Sequence, residues 1–178
     1  WLPVWCSWFP PLWNDSSPLF AEYLRANTKH LSVSRFGLFM FAYCKSLTEV
    51  NMHNKLTTIG ESAFLECSAL TEVTIPDSVT TMKKYAFDSA LALTKVTFGE
   101  SLTAIDEHSF SNCPALTTVK FAPEGKLESI GQRAFSDAVS LETIVFPEGL
   151  IEIGYASFYG CTNLNEIDLP NTLMAVRA

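Results

Sequence analysis

The chain has 178 residues, with 12 basic against 19 acidic side chains and a formal net charge of −7. Neutralising phosphates requires a basic surface, and the sequence contains no run of Lys or Arg, so nucleic acid is not an expected partner. The length would suit one globular domain, but internal repeats predict an elongated array instead.

The first thirteen residues, WLPVWCSWFPPLW, hold all four tryptophans of the chain. These are Trp1, Trp5, Trp8 and Trp13. Three prolines prevent a long helix, and the stretch is shorter than the ~20 residues that span a bilayer, so no transmembrane segment is expected. One interpretation is an exposed aromatic patch that contacts a partner or a membrane interface. The other, which we favour, is a cap over the first repeat, because Leu38 and Phe39 leave its outer side apolar.

The sequence of residues 14–32 predicts one short amphipathic helix. Ser16 or Ser17 can cap its N-terminus, Pro18 fits the first turn, and apolar side chains follow at helical spacing as far as Leu24. The helix is most simply part of the same cap. Residues 1–32 are therefore predicted to form a Trp-rich capping segment.

From residue 33 onward the sequence repeats with a period of 23 residues. The clearest copy is Leu56–Ser78, LTTIGESAFLECSALTEVTIPDS, and we number repeat positions from Leu56 as position 1. Six full copies fill residues 33–172, and residues 173–178 begin a seventh. One copy holds two extra residues around Ala122–Gly125, where turn-forming residues tolerate insertion. Such a period predicts a solenoid whose coils pack only on their neighbours.

The apolar side chains of the repeat predict its local structure. Position 9 is Phe and position 15 is Leu in all six full copies. Positions 18 and 20 are apolar and mostly alternate with polar residues at 17 and 19, which is typical of a strand with one buried face. Proline, frequent at position 21, ends that strand because it lacks an N–H group. Positions 5–12 are short, so we expect about one turn of helix starting near position 6, and positions 1–4 form another extended or turn segment.

The run I-G-x-x-A-F-x-x-C-x-x-L-T-x-V-T-I-P, which occupies Ile59–Pro76, resembles the BspA-type leucine-rich repeat of bacterial and protist surface proteins. The resemblance extends over Val33–Thr172. It implies an α/β fold: a right-handed solenoid with a parallel β-sheet on one face and short helices or turns on the other. It also implies protein binding or adhesion at the cell surface or after secretion, and it supplies no catalytic residues.

Four cysteines share position 12: Cys44, Cys67, Cys113 and Cys161. The other two full copies have alanine there, so the site accepts a small apolar side chain, as reduced cysteine is when buried. Adjacent strands ~4.8 Å apart hold such side chains parallel and too far apart for a relaxed disulfide. We expect these cysteines to be unpaired, which leaves an intracellular location open. Cys6 lies outside the array and has no predicted role.

The outward positions 17 and 19 form the predicted partner-binding surface. Its acidic residues lie towards both ends and its basic residues in the middle, so a partner with the opposite pattern could recognise it. The alternative is a merely solvated strand face. The predicted contact residues are Glu49, Asn51, Glu72, Thr74, Lys95, Thr97, Thr118, Lys120, Thr143, Glu166 and Asp168, with Val145 at the remaining outward position.

No catalytic constellation is evident, because the sequence lacks a nucleophile paired with a base, convergent carboxylates or a Gly-rich phosphate loop. His53 near Glu49 and Glu72 is the best metal candidate, but exposed side chains without supporting contacts seldom bind tightly. We therefore expect no cofactor or metal and predict a non-enzymatic recognition module. The alternative is a structural subunit of a larger assembly, either at a membrane or away from one. It would be anchored through the Trp-rich segment and the open C-terminal coil, where further repeats or a docking subunit would pack.

Overall fold

The computed structural model describes residues 34–177, and these residues form a solenoid of short parallel strands. All seven copies contribute a strand from positions 3–4, and the second to sixth coils add a strand from positions 17–20. The first coil has only a single bridge there, at Glu49. In chain order the strands are β1 (Arg35–Phe36), β2 (Thr58–Ile59), β3 (Glu72–Ile75), β4 (Thr81–Met82), β5 (Lys95–Phe98), β6 (Ala104–Ile105), β7 (Thr118–Lys120), β8 (Ser129–Ile130), β9 (Thr143–Val145), β10 (Glu152–Ile153), β11 (Glu166–Asp168) and β12 (Ala175–Val176).

The strands stack into two sheet faces rather than the single face predicted from the sequence. The strands from positions 3–4 form one continuous seven-stranded parallel sheet in the order β1-β2-β4-β6-β8-β10-β12. The strands from positions 17–20 form a three-stranded sheet, β3-β5-β7, and a separate two-stranded sheet, β9-β11. The predicted sheet is therefore present but interrupted, and the longer sheet lies where only an extended or turn segment was expected.

Equivalent side chains lie on top of one another, which confirms the predicted columns. Phe64, Phe87, Phe110 and Phe135 at position 9 are completely buried. The ring centroids of Phe64 and Phe87 lie 4.9 Å apart and those of Phe87 and Phe110 5.2 Å apart, close to the spacing of neighbouring strands. Each coil thus buries its apolar side chains against the next coil, as a solenoid requires.

The predicted helical turn is wrong for the described residues, none of which is helical. Positions 6–11 form consecutive turns, and positions 7 and 11 have positive φ in every coil, as at Ser62 (φ 54°) and Glu66 (φ 55°). This backbone directs N–H groups to the following coil. The N–H groups of Ser62 and Phe64 donate to the carbonyls of Lys84 and Ala86, at 3.0 and 2.8 Å. A helix would use such groups within its own coil, so bonding between coils replaces it.

The two-residue insertion is contained in one loop. Gly125 N donates to Ala122 O at 2.9 Å, closing a turn, and Lys126 N donates to Glu100 O at 2.9 Å. The long sheet continues past the loop in register, since Ala104 pairs with Ser129. On the other face β7 and β9 are not paired, so the insertion separates two sheets there.

The position-12 cysteines behave as predicted in three coils and differently in the first. Cys67, Cys113 and Cys161 are free, and burial raises the pKa of Cys67 and of Cys113 to about 12. The Cys67 thiol donates to the carbonyl of Phe41 in the preceding coil at 3.1 Å. Cys44 is disulfide-bonded, so the expectation of an unpaired thiol is wrong for this residue. None of the three free cysteines is its partner.

The predicted Trp-rich cap, its helix and its tryptophans, Trp1, Trp5, Trp8 and Trp13, lie outside the described residues. At the other end, β12 of the seventh copy pairs with β10 in register, with Glu152 opposite Ala175. Within residues 34–177 there is no helix with the length and apolar character needed to traverse a bilayer.

Candidate binding face

The side chains at positions 17 and 19 share one surface, here called the outer strand face. In β3 the burial alternates, with Glu72 and Thr74 exposed while Val73 and Ile75 are buried, because successive side chains of a strand point to opposite sides. Parallel pairing then aligns equivalent positions. Glu72 lies opposite Lys95 and Lys95 opposite Thr118. The predicted contact residues of β3, β5 and β7 therefore form continuous columns.

The charges on this face are distributed as the sequence predicts. Lys95 Nζ lies 3.2 Å from Glu72 Oε2, so these two predicted contact residues form an ion pair across adjacent coils. Glu49 forms a parallel bridge with Glu72 at the N-terminal end, and the exposed β11 residues Glu166 and Asp168 make the other end acidic. Lys120 makes no ion pair with any residue between 34 and 177, so it is the available positive charge near the middle.

A column of threonine hydroxyls borders the face at position 16, and the sequence analysis missed it. Thr71 Oγ1 donates to Thr48 O at 3.3 Å, Thr94 Oγ1 to Thr71 O at 3.0 Å, and Thr117 Oγ1 to Thr94 O at 3.1 Å. These bonds duplicate the backbone bonds between coils and fix the start of each strand. The column ends at Thr117, where the next coil has Glu142.

A groove of about 590 Å³ opens between β7 and β9, at the break between the two sheets. We call it the junction groove. Its apolar lining includes Phe121, Pro123, Val145, Phe146 and Pro147. Val145 is 61 % exposed, although it occupies a position that is polar in the other coils. The groove is open to solvent and combines apolar with polar lining residues.

The rings beneath the groove show how the coils separate. Phe98 and Phe121 stack with centroids 5.0 Å apart and planes 8° apart. Across the break, the Phe121 and Phe146 centroids lie 5.8 Å apart and the planes are tilted by 38°. The coils therefore diverge at this face, next to the inserted loop.

Three predicted contact residues, Thr118, Lys120 and Thr143, lie together in the junction groove, with Glu148 as the other charged lining residue. Four more line a second groove of about 470 Å³ beside the first coils: Asn51, Glu72, Thr74 and Thr97. The apolar lining of the junction groove was not predicted. Two signals could have identified it, namely the inserted residues and Val145 among otherwise polar outward positions.

His53 does not join Glu49 and Glu72 in a metal site. Its Nδ1 accepts a hydrogen bond from Lys55 N at 3.0 Å, and its Nε2 is buried without a hydrogen-bond partner among residues 34–177. Between residues 34 and 177, no three His, Cys, Asp or Glu side chains are grouped closely enough to hold a metal ion.

Comparison with known families and structures agrees with this architecture. A model described as the BspA type leucine-rich repeat region matches residues 34–148 and 128–178, in six copies. No curated protein matches significantly.

Three solved structures are similar to the chain. A leucine-rich repeat protein from Bacteroides ovatus is 29 % identical with a TM-score of 0.71, and the match covers 82 % of this chain and 37 % of that one. The leucine-rich repeat protein of T. pallidum is 28 % identical with a TM-score of 0.54, over 65 % and 64 % of the two chains. One from Eubacterium ventriosum is 25 % identical with a TM-score of 0.74, over 82 % and 41 %. This chain thus spans less than two thirds of each.

Proposed function

Because the chain belongs to the BspA-type leucine-rich repeat family, we propose that it is a non-enzymatic protein-recognition or adhesion module that binds its partner through the outer strand face. Repeat solenoids commonly present an extended surface of this kind to a partner. The family and the architecture support a binding role of this general type.

The observation that carries the proposal is the contrast between the two sheet faces. In the middle of the seven-stranded sheet the half-buried outward residues are small, as at Thr81, Ala104 and Ser129. In the coils of Thr81 and Ala104 the outer strand face has Lys95 and Lys120, and in coils before and after these it has carboxylates. Towards its ends the seven-stranded sheet also has charged outward residues, Arg35 and Glu152. Among the outward strand positions of the middle coils, the charged residues lie on the outer strand face, where they favour orientation of a protein partner.

The test is charge reversal on the intact chain. A variant with Glu72→Lys, Lys95→Glu and Lys120→Glu is compared with wild type in a pull-down, and the Kd of the retained partner is then measured. The matched control is Lys83→Glu, an exposed lysine at position 5 on the turn side. We expect at least tenfold weaker binding for the triple variant and none of this loss for the control. Equal affinities for all three proteins would exclude the outer strand face as the contact.

A second candidate role is supported by the last described coil. Ile167, Leu169 and Val176 are 45 %, 49 % and 61 % exposed, and the first two occupy columns that are largely buried in the middle coils. In this alternative a further coil or a docking subunit covers these side chains in a larger assembly, and the Trp-rich segment forms a second anchor, at a membrane surface or on another subunit. Deletion of residues 1–13 would then abolish association, while the triple charge reversal would leave it intact.

A further inference from the structure

We propose that the junction groove is the subsite for an extended segment of the partner protein that carries one acidic side chain next to an apolar one. The inference rests on the proposed function and specifies the partner's chemistry. The carboxylate would pair with Lys120, and the apolar side chain would pack on Val145.

The backbone hydrogen bonds between coils are interrupted at the junction groove. At the neighbouring junctions the carbonyls at position 16 accept bonds from the next coil: Thr94 O accepts from Thr117 N at 3.0 Å, and Glu142 O from Asn165 N at 3.0 Å. No backbone N–H between residues 34 and 177 donates to Thr117 O, and Glu142 N donates to no backbone carbonyl there. Cα atoms of β7 and β9 still lie within 8 Å of each other, so a further strand does not fit between them. A bound segment would therefore lie over the break, on the outer strand face.

The junction groove also has exposed apolar side chains. Val145 and Lys120 occupy the same repeat position in neighbouring coils. An exposed apolar side chain and a lysine therefore line the groove on either side of the break. Pro123 adds an exposed apolar side chain on the loop side, whereas Phe146 and Pro147 are buried and form the floor of the groove. An apolar side chain packed on Val145 would remove its exposed apolar area from water, which favours binding.

The charged side chains in and around the junction groove favour a single acidic residue in the bound segment. Lys95 is already paired with Glu72, whereas Lys120 is unpaired within the described part of the chain. Glu148 also lines the groove, and Glu166 and Asp168 lie one coil beyond. A segment with a single carboxylate at Lys120 gains an ion pair, but further carboxylates would meet these acidic side chains. The groove thus favours one acidic residue flanked by apolar or neutral residues over a polyacidic stretch.

The experiment is selection of a random heptapeptide library on the full chain, with counter-selection on a Val145→Arg variant. Enriched sequences are made as terminally blocked fluorescent peptides and titrated by polarisation. We expect the peptides to share one Asp or Glu beside an apolar residue, and we expect Lys120→Glu and Val145→Arg each to weaken binding at least tenfold. Lys83→Glu should leave the Kd unchanged. Circular dichroism of each variant checks that a loss is not caused by unfolding.

Several outcomes would overturn the inference. These are failure to enrich any peptide over counter-selection, enrichment of basic or polyacidic sequences, and binding that tolerates Lys120→Glu in a folded variant. In each case the broader proposal is judged separately by the triple charge reversal against the protein partner. A partner that still depends on the outer strand face, with no peptide in the junction groove, rejects the subsite and retains the recognition role.

Discussion

The Phe110 and Phe135 rings stack with centroids 5.5 Å apart and planes 7° apart, although their separation in sequence exceeds the 23-residue period by two. The insertion therefore leaves the central aromatic column intact. Its effect appears at the outer strand face, where Phe121 and Phe146 are tilted by 38° and β7 does not pair with β9. The two coils that flank the insertion are therefore packed together in the core but are not paired as strands at the surface.

The aromatic column predicts a large cost for removing one ring. Phe110 is completely buried and contacts rings in both neighbouring coils, so Phe110→Ala leaves a cavity that the stacked coils cannot readily close. We expect the free energy of unfolding, measured by urea denaturation, to fall by about 3–5 kcal/mol. Thr118→Ala, on the outer strand face, serves as the control and should change it by less than about 0.5 kcal/mol. Equal effects would mean that the two side chains are not divided between core and surface as described.

The columns could be predicted from the sequence because each depends on one side chain recurring at one spacing. The alternation in Glu72–Ile75, for example, specifies which residues are buried without any knowledge of the neighbouring coil. The turns could not be predicted in the same way. Residues such as Tyr85 (φ 57°) and Arg133 (φ 51°) have no intrinsic preference for positive φ. They adopt it because their N–H groups bond to the next coil, an interaction between repeats that a single repeat does not reveal.

The site was partly predictable for a related reason. Periodicity assigns Thr118, Lys120 and Thr143 to the outer strand face, but it does not show that they border a groove. That depends on which side of the coil accommodates the inserted residues. The structure places the disturbance beside Ala122–Gly125 and leaves the Ala104–Ser129 pairing unaltered.

Deletion of Glu124 and Gly125 should therefore close the junction groove. The deletion restores a 23-residue coil, and we expect β7 and β9 to pair and the two sheets to become one. Amide hydrogen exchange would report this as slower exchange at Glu142 and Val145, because their N–H groups point towards β7 and would gain bonds to it. Replacing the same two residues with Ser-Ser keeps the loop length and should leave exchange as in wild type. Unchanged exchange in a folded deletion variant would show that the insertion is not the cause of the break.

The free cysteines should differ in reactivity according to their burial. Burial raises the pKa of Cys67 and of Cys113 to about 12 and that of the less buried Cys161 to about 11. Because only the thiolate is nucleophilic, all three should react slowly at pH 8, with Cys161 first. Iodoacetamide labelling of the native chain, followed by peptide mass spectrometry, gives the three rates. In urea the rates should converge, and the prediction is wrong if Cys67 reacts as fast as Cys161 without denaturant.

Asp88 should make stability depend on pH in the direction opposite to that of a salt-bridged carboxylate. Burial raises its pKa, although hydrogen bonds from Ser111 and Ser89 and the charge of His108 partly offset the effect. The folded chain therefore holds this proton more tightly than the unfolded chain, so the contribution is most favourable below pH ~3.9 and declines as pH rises through the folded pKa. Asp88→Asn removes the buried charge, and we expect it to stabilise the chain at pH 7 by up to about 0.5 kcal/mol, since partial exposure screens the effect. In urea unfolding curves, this gain in the free energy of unfolding should disappear near pH 3.5. The exposed control Glu107→Gln should show no such gain at pH 7. If Asp88→Asn is instead less stable than wild type at pH 7, the hydrogen bonds to Asp88 outweigh the cost of its burial.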